Sequence, residues 1–260
     1  MIPAPATLDE AAVERYSRQL LLSEFGESGQ LKLAQATATV VGCGGLGVPA
    51  ALYLGAAGVG RLILVDPDQV SLDNLNRQVA YGTADIGRPK AECLGSRITQ
   101  LNPTIEVEAR VEAVTEATAK CSLAPADLVL ECSDDPVTKF WVNDYCTARG
   151  ISLVLGGAVG LAGQVVAVPP GGACYRCLFG GPPAERGPSC RDAGVLGPLV
   201  GVIGALQALE AIKLICGFGQ APGGRLLDFD AFTLRWREVR FPTDPSCPVH
   251  GGSSRGNGHN

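Results

Sequence analysis

The segment Gly42-Cys-Gly-Gly-Leu-Gly47 follows a short apolar run (38–41) and leads into a stretch of small and apolar residues (48–57). Few folds let a strand turn this tightly into a helix. In such a turn the first glycine permits the bend, the second lets backbone approach a ligand, and the third lets the helix pack on the strand. The N-terminus of the following helix favours phosphate oxygens. About twenty residues further on, a second buried run (61–65) ends at Asp66, where a carboxylate accepts from ribose hydroxyls. The loop alone does not choose between a nicotinamide cofactor and ATP, and a tight turn without a ligand shares its pattern.

The remaining chain alternates in the same way. Thr7-Leu-Asp-Glu10 reads as a capping box opening a helix to about Leu22. A helix over 91–100, a strand over 105–111, a strand over 127–131, a helix over 139–148 and a strand over 151–155 follow. This order predicts an α/β fold: a Rossmann-like, doubly wound, mostly parallel sheet. The later strand-like runs, 164–168, 225–229 and 234–241, show no clear intervening βαβ units and predict an antiparallel C-terminal extension. A strongly apolar helix is expected over 200–215, and a long loop with three cysteines over 171–196. Residues 1–250 are expected to form one domain, with a nucleotide-binding half over about 36–156 and a second half over about 157–250. The polar, Gly-rich tail 251–260 is expected to be disordered.

Composition narrows the class. A net charge of −5 argues against nucleic acid as a partner. No uninterrupted apolar run is long enough to span a bilayer, and the first ten residues lack the pattern of a signal peptide. A cytoplasmic location is expected, with the ten cysteines serving as ligands, nucleophiles or core residues rather than in disulfides. Cys43, Cys93, Cys121, Cys132, Cys146 and Cys216 read as small core residues. Only two histidines occur, His250 and His259. Chemistry built on a histidine base is therefore disfavoured, leaving carboxylates, cations, a metal or a cysteine.

Three groups of residues carry that chemistry. Asn74, Arg77, Gln78 and Lys90 place amides and cations just after the ribose strand. A hydride-transfer enzyme has no need for them there, whereas a triphosphate does, because cations neutralise charge on a departing pyrophosphate. Asp134 lies just past the strand ending at Glu131, suited to Mg²⁺; helix capping is the competing role, and Asp135 is the better placed of the two for it. Cys174-Tyr-Arg-Cys177 and Cys247-Pro-Val-His250 form two half-sites for a closed, structural zinc. Cys190 lies between them in a loop and is open to two readings, a reactive thiol or an idle one.

Taken together, Arg15-Tyr-Ser-Arg-Gln19, the glycine loop, Ser71-Leu-Asp-Asn-Leu-Asn-Arg-Gln78, Glu131-Cys-Ser-Asp-Asp135, the Cys174 pair and GVLGPLVGVIGALQALEAIKL resemble the ThiF/MoeB family of sulfur-carrier adenylyltransferases. The resemblance runs from about Arg15 to Gly251, and the loop around Cys190 is more like the thiamine branch than the molybdopterin branch. It implies ATP- and Mg²⁺-dependent adenylation of the C-terminal Gly-Gly carboxylate of a ubiquitin-like sulfur carrier. By match to its motifs, Gly45 contacts the nucleotide through its backbone and Asp66 holds the ribose. Asn74, Arg77 and Lys90 bind phosphates with Gln78 beside them, and Asp134 holds Mg²⁺. Arg18 matches an arginine that reaches into the partner subunit's site, which implies a homodimer. Cys190 matches a cysteine that forms an acyl-disulfide with the carrier, and a persulfide enzyme is the implied sulfur donor.

Two departures stand out: Asp135 where the family has Asn, and His250 where it has Cys. The first keeps open a non-catalytic scaffold that binds a carrier without activating it. The second removes one negative charge from the zinc site. The same chemistry on a molybdopterin-type or other carrier remains an alternative. A nicotinamide-dependent oxidoreductase leaves Arg77, Lys90 and the metal pairs without a purpose.

Overall fold

A computed structural model describes residues 7–182, 193–219 and 223–250. Eight strands form one continuous sheet: β1 (Thr37–Val41), β2 (Arg61–Val65), β3 (Glu106–Arg110), β4 (Leu128–Glu131), β5 (Ser152–Val159), β6 (Ala162–Val168), β7 (Arg225–Asp230) and β8 (Arg235–Arg240). Their order is β3-β2-β1-β4-β5-β6-β7-β8. The first five are parallel, and β6, β7 and β8 each join antiparallel to the strand before. The predicted doubly wound sheet and its antiparallel extension are both present.

The order runs outward from β1 to β3 on one side and restarts with β4 on the other. Val41 is level with Val65 of β2 and with Glu131 of β4, so three strands end on one line. Ligands of open α/β sheets bind in the crevice beyond the carboxyl ends at such a reversal.

Eight described helices surround the sheet: α1 (Glu10–Leu20), α2 (Gly26–Gln35), α3 (Gly47–Ala57), α4 (Lys90–Leu101), α5 (Glu116–Ser122), α6 (Pro136–Arg149), α7 (Tyr175–Phe179) and α8 (Gly197–Cys216). Side chains alternate across the sheet, as the pleat requires. Leu128 and Leu130 join Ala38, Val40 and the α3, α4 and α8 residues in one core, whereas Val129 joins Val41, Phe140 and the cysteine cluster in the other. By length and composition α8 is apolar enough to cross a bilayer, yet it serves as a core helix, burying Ile203, Gln207, Glu210 and Ala211.

Several local expectations are corrected. α1 starts at Glu10 rather than Thr7, because Asp9 is the cap and its Oδ1 accepts from Ala12 N at 2.8 Å. α2 and α5 were not foreseen: α2 carries two glycines and a weak apolar stripe, and α5 is only 7 residues long. α7 lies inside the stretch expected to be loop. Cys121 is exposed rather than in the core, while Cys43, Cys93, Cys132, Cys146 and Cys216 are buried. Cys190 and the tail 251–260 lie outside the described residues.

Candidate active site

The crevice at the strand reversal is a cavity of about 880 Å³. One wall is the glycine loop. Gly42 has φ +90, and a side chain there meets the Ser133 backbone N at 2.9 Å, so the loop lies directly against the turn after β4. Gly47, the first residue of α3, is tighter still: a Cβ on it would sit 1.8 Å from Gly42 O. Backbone cannot yield as a flexible side chain does. Gly47→Ala is expected to lower stability by about 1–3 kcal/mol and to weaken nucleotide binding, since the loop must open to admit the methyl. Thermal melting and ATP titration check this, and a parent-like affinity counts against the loop as the nucleotide site.

Asp66, at the end of β2, is buried. Its Oδ2 accepts from Cys43 N at 2.6 Å and its Oδ1 from Asp68 N at 2.8 Å. Burial raises its pKa above the ordinary carboxylate value, and the Cys43 N–H and the Lys90 charge oppose that rise. Tyr81, which sequence reading passed over, supports the same loop: its hydroxyl donates to Cys43 O at 2.7 Å from a buried position. The Cys43 thiol is pushed well above its ordinary value by burial and then by Asp66, and burial likewise raises Cys132. Both thiols therefore stay protonated and unreactive.

The opposite lip carries the amides and cations. Gly45, Asn74, Arg77, Gln78, Lys90 and Asp134 all line the cavity with Asp66. Lys90 is buried at its mouth, with Nζ 2.9 Å from the half-exposed Asp68 carboxylate. Arg77 folds back on its own loop, donating to Asp73 O at 2.7 Å and to Asn76 Oδ1 at 3.2 Å. Asn74 caps that turn through Ser71 N. Gln78 is 4% exposed, and its buried Oε1 has no hydrogen-bond partner among the described residues. Buried acceptors are rarely left so, and a ligand donor in the cavity would satisfy this one.

Asp134 and Asp135 both line the cavity but differ in exposure and in what their carboxylates bind. Asp134 is exposed on the rim and lines the cavity. Asp135 caps α6, its Oδ2 accepting from Thr138 N at 2.9 Å and from Thr138 Oγ1 at 2.7 Å. The carboxylate that departs from the family pattern thus does the work of a helix cap. Asp134 is the one suited to Mg²⁺, which takes one or two carboxylates together with substrate phosphates. Arg18 is exposed on α1 and does not line the cavity of its own chain.

Cys174, Cys177, Cys247 and His250 come together, their ligand atoms all within 4.8 Å of one another. The Cys174 sulfur lies 3.7 Å from those of both Cys177 and Cys247. A disulfide needs about 2.05 Å. The edge of a tetrahedron with zinc–sulfur bonds of about 2.3 Å is about 3.8 Å, so this donor set fits zinc.

The ThiF family pattern matches residues 16–249. This chain belongs to the ThiF family. It is 46% identical over 244 residues to the sulfur carrier protein ThiS adenylyltransferase of Escherichia coli (strain K12), covering 92% of this chain and 96% of that one. It is 42% identical over 247 residues to the SAMP-activating enzyme E1 of Haloferax volcanii, covering 94% of this chain and 91% of the relative. Against the adenylyltransferase and sulfurtransferase MOCS3 of Bos taurus identity is 46%, but the match spans only 56% of that longer protein. Among solved structures, Escherichia coli MccB with ATP superposes with a TM-score of 0.79 at 25% identity, covering 92% of this chain and 75% of MccB. Like these ThiF family relatives, the chain is an enzyme, an adenylyltransferase.

Sequence reading gave no role to three polar residues at and beneath the cavity of this ThiF family member, of which Lys139 lines it. Glu131, Lys139 and Gln207 are polar yet buried, and they tie β4, β5, α6 and α8 together. Glu131 and Gln207 fall within the quoted motifs, but nothing in the sequence shows that they and Lys139 meet.

Proposed function

We propose that this enzyme joins ATP to the C-terminal Gly-Gly carboxylate of a ubiquitin-like sulfur carrier protein, releasing pyrophosphate, for sulfur incorporation in thiamine biosynthesis. The observation that carries this is the lining of the single cavity at the strand reversal, assigned here to two arms by its residues. One arm has the glycine loop, Asp66 and the cations; the other is lined by Gly157, Ala158, Ala162 and Gly163. Small residues there suit an extended Gly-Gly tail. The nucleotide-binding half (about 36–156) and the carrier- and zinc-binding half (about 157–250) are read as one functional domain.

The carrier carboxylate is ionised at neutral pH and attacks the α-phosphorus without a general base. The residues therefore position groups and stabilise charge. Gly45 offers its backbone to the nucleotide. Asp66 keeps lone pairs for the ribose beyond the two N–H groups it already accepts. Asn74, Arg77 and Lys90 bind the phosphates, with Arg77 swinging off its own loop and Lys90 exchanging Asp68 for phosphate oxygen. Gln78 offers its unmatched acceptor. Asp134 holds Mg²⁺, which supplies neutralising charge to the triphosphate.

Arg18 is assigned to the partner's cleft in a homodimer. Its absence from the lining of its own cavity supports this, as do Val202 and Leu209, exposed apolar residues seven apart on α8. Zinc is assigned to the Cys174 cluster, and Cys190 to sulfur transfer from a persulfide enzyme after adenylation. A cytoplasmic location suits the nine free cysteines among the described residues. Thiamine is preferred because the Escherichia coli ThiS adenylyltransferase matches over nearly its whole length. A molybdopterin-type or other carrier is the second reading, favoured by equal identity to MOCS3.

ATP–pyrophosphate exchange with candidate carriers from the same genome tests both readings. Exchange is expected only with a carrier ending Gly-Gly, fastest with the thiamine carrier. Faster exchange with a molybdopterin carrier moves the pathway assignment. No exchange with any carrier removes the adenylation reading.

A further inference from the structure

A buried charged pair stands at the edge of the cleft: Lys139 lines the cavity, and Glu131 lies beneath it. Glu131 ends β4 fully buried, and Lys139, in the first turn of α6, is 8% exposed. Lys139 Nζ donates to Glu131 Oε2 and, at 2.6 Å, to Gly156 O in β5. The other carboxylate oxygen, Glu131 Oε1, accepts from Ser133 N at 3.0 Å and from the Ser133 hydroxyl. Gln207 of α8 donates to the Glu131 carbonyl at 3.0 Å. Burial raises the Glu131 pKa, and the Lys139 charge opposes that rise; burial would lower Lys139, but the Glu131 carboxylate reverses this and holds it protonated.

Stability is a poor reason for such a pair, because apolar replacements of a buried ion pair are often neutral or stabilising. The other β4 residues, Leu128, Val129 and Leu130, are apolar and fully buried, so a fourth would continue the strand without penalty. What the pair does is specific. One carboxylate oxygen fixes both the amide and the hydroxyl of Ser133, the residue before Asp134, and Lys139 fixes that carboxylate.

We propose that Glu131 and Lys139 are positioning residues that hold the Ser133–Asp134 turn so that the Asp134 carboxylate faces the cleft. The proposal rests on the reading of Asp134 as the residue that serves the Mg²⁺–nucleotide complex. Through Gly156 the pair also anchors the middle of β5, where the next residue, Gly157, lines the cavity. The lysine thereby ties the nucleotide arm to the tail arm.

The test is the double variant Glu131→Met/Lys139→Met, which removes both charges and strands neither. Its melting temperature is expected to match or exceed the parent's. Hydrogen exchange at the Ser133 amide is expected to quicken about fivefold or more, as its acceptor is gone. The extra affinity that Mg²⁺ lends to ATP is expected to shrink, while Mg²⁺-free ATP binds as before. The exchange rate is expected to fall about tenfold or more, with half-saturation at higher Mg²⁺. Lys139→Arg, which keeps the charge, is expected to restore parent behaviour.

A folded double variant with parent-like Ser133 protection and Mg²⁺ dependence overturns the proposal and leaves the pair purely structural. Should that variant fail to fold, Glu131→Gln/Lys139→Met keeps an acceptor for Ser133. It is expected to show the same Mg²⁺ effect in smaller measure, and no effect overturns the proposal equally. Ser133 protection and ATP affinity are read without turnover. A parent that gives no exchange therefore overturns the adenylation reading and leaves this test standing.

Discussion

Asp134→Ala is expected to lower carrier-dependent ATP–pyrophosphate exchange by about 10³, the cost of losing a major electrostatic contact at the reacting phosphate. Asp135→Ala, one residue on, is expected to do something different. It removes an N-cap, which costs about 1 kcal/mol and lowers the melting temperature by roughly 2–4 °C for a chain of this size. Exchange should stay within about fivefold of the parent, because a cap residue contributes to fold rather than to transition-state charge. The contrast follows from geometry. Asp135 spends its carboxylate on Thr138, whereas Asp134 is exposed on the cavity rim. Asp135→Asn should leave both stability and exchange nearly unchanged, since Asn caps as well as Asp. If Asp135→Ala abolishes exchange and Asp134→Ala does not, the two roles are reversed and the metal assignment falls. A sharp gain from Asp135→Asn would instead show that the extra carboxylate repels the phosphates.

Much of this arrangement was legible in the sequence, for a local reason. The glycine loop, Asp66 and the residues 74–90 are each set by their own strand or turn, so spacing along the chain reports spacing in the cleft. The cysteine and histidine cluster was legible because only a few residue types ligate zinc, and they come in pairs. The sheet followed from period and punctuation, and even its antiparallel end was marked by the want of clear βαβ units. What sequence did not show depends on contacts between distant segments. Tyr81 reaches back 38 positions to the Cys43 carbonyl, and Gln207 reaches 76 positions to the Glu131 carbonyl. Nothing at either position distinguishes such a residue from an ordinary polar one until the chain is folded. α2 was missed because its stripe is weak; it is held by packing against α8 and α1 rather than by propensity. The choice of Asp135 as cap over Asp134 was legible, because Pro136 at the first helical position fixes the register.

Removing the metal from the cysteine cluster is the other change with a large expected effect. Zinc at a thousandfold over its dissociation constant stabilises the folded chain by about 4 kcal/mol if the unfolded chain does not bind it. At this size that corresponds to a melting temperature lower by roughly 8–16 °C after chelation. Cys247→Ala should abolish the bound zinc and melt near the chelated parent. His250→Cys should keep the metal, because four thiolates are as common a structural set as three with one imidazole. The metal-free chain should keep its sheet, because Cys174 and Cys247 are packed with Val168, Leu226 and Tyr175 as small apolar residues. The loss should therefore be local, seen as faster hydrogen exchange over 242–250 and 172–180. It should also reach the cleft. Tyr175, next to Cys174, lines the cavity and packs on Phe140 with ring centroids 5.0 Å apart. Phe140 follows Lys139 on α6, the helix that Asp135 caps. Loosening the cluster thus frees one wall of the tail arm while the nucleotide arm, built on β1 and β2, stays fixed. The expected kinetic signature is a higher KM for the carrier with the KM for ATP unchanged. A chelated enzyme with parent-like melting and parent-like carrier KM would show that the four residues hold nothing the fold needs. A rise in the KM for ATP instead would mean that the cluster supports the whole crevice rather than one arm of it.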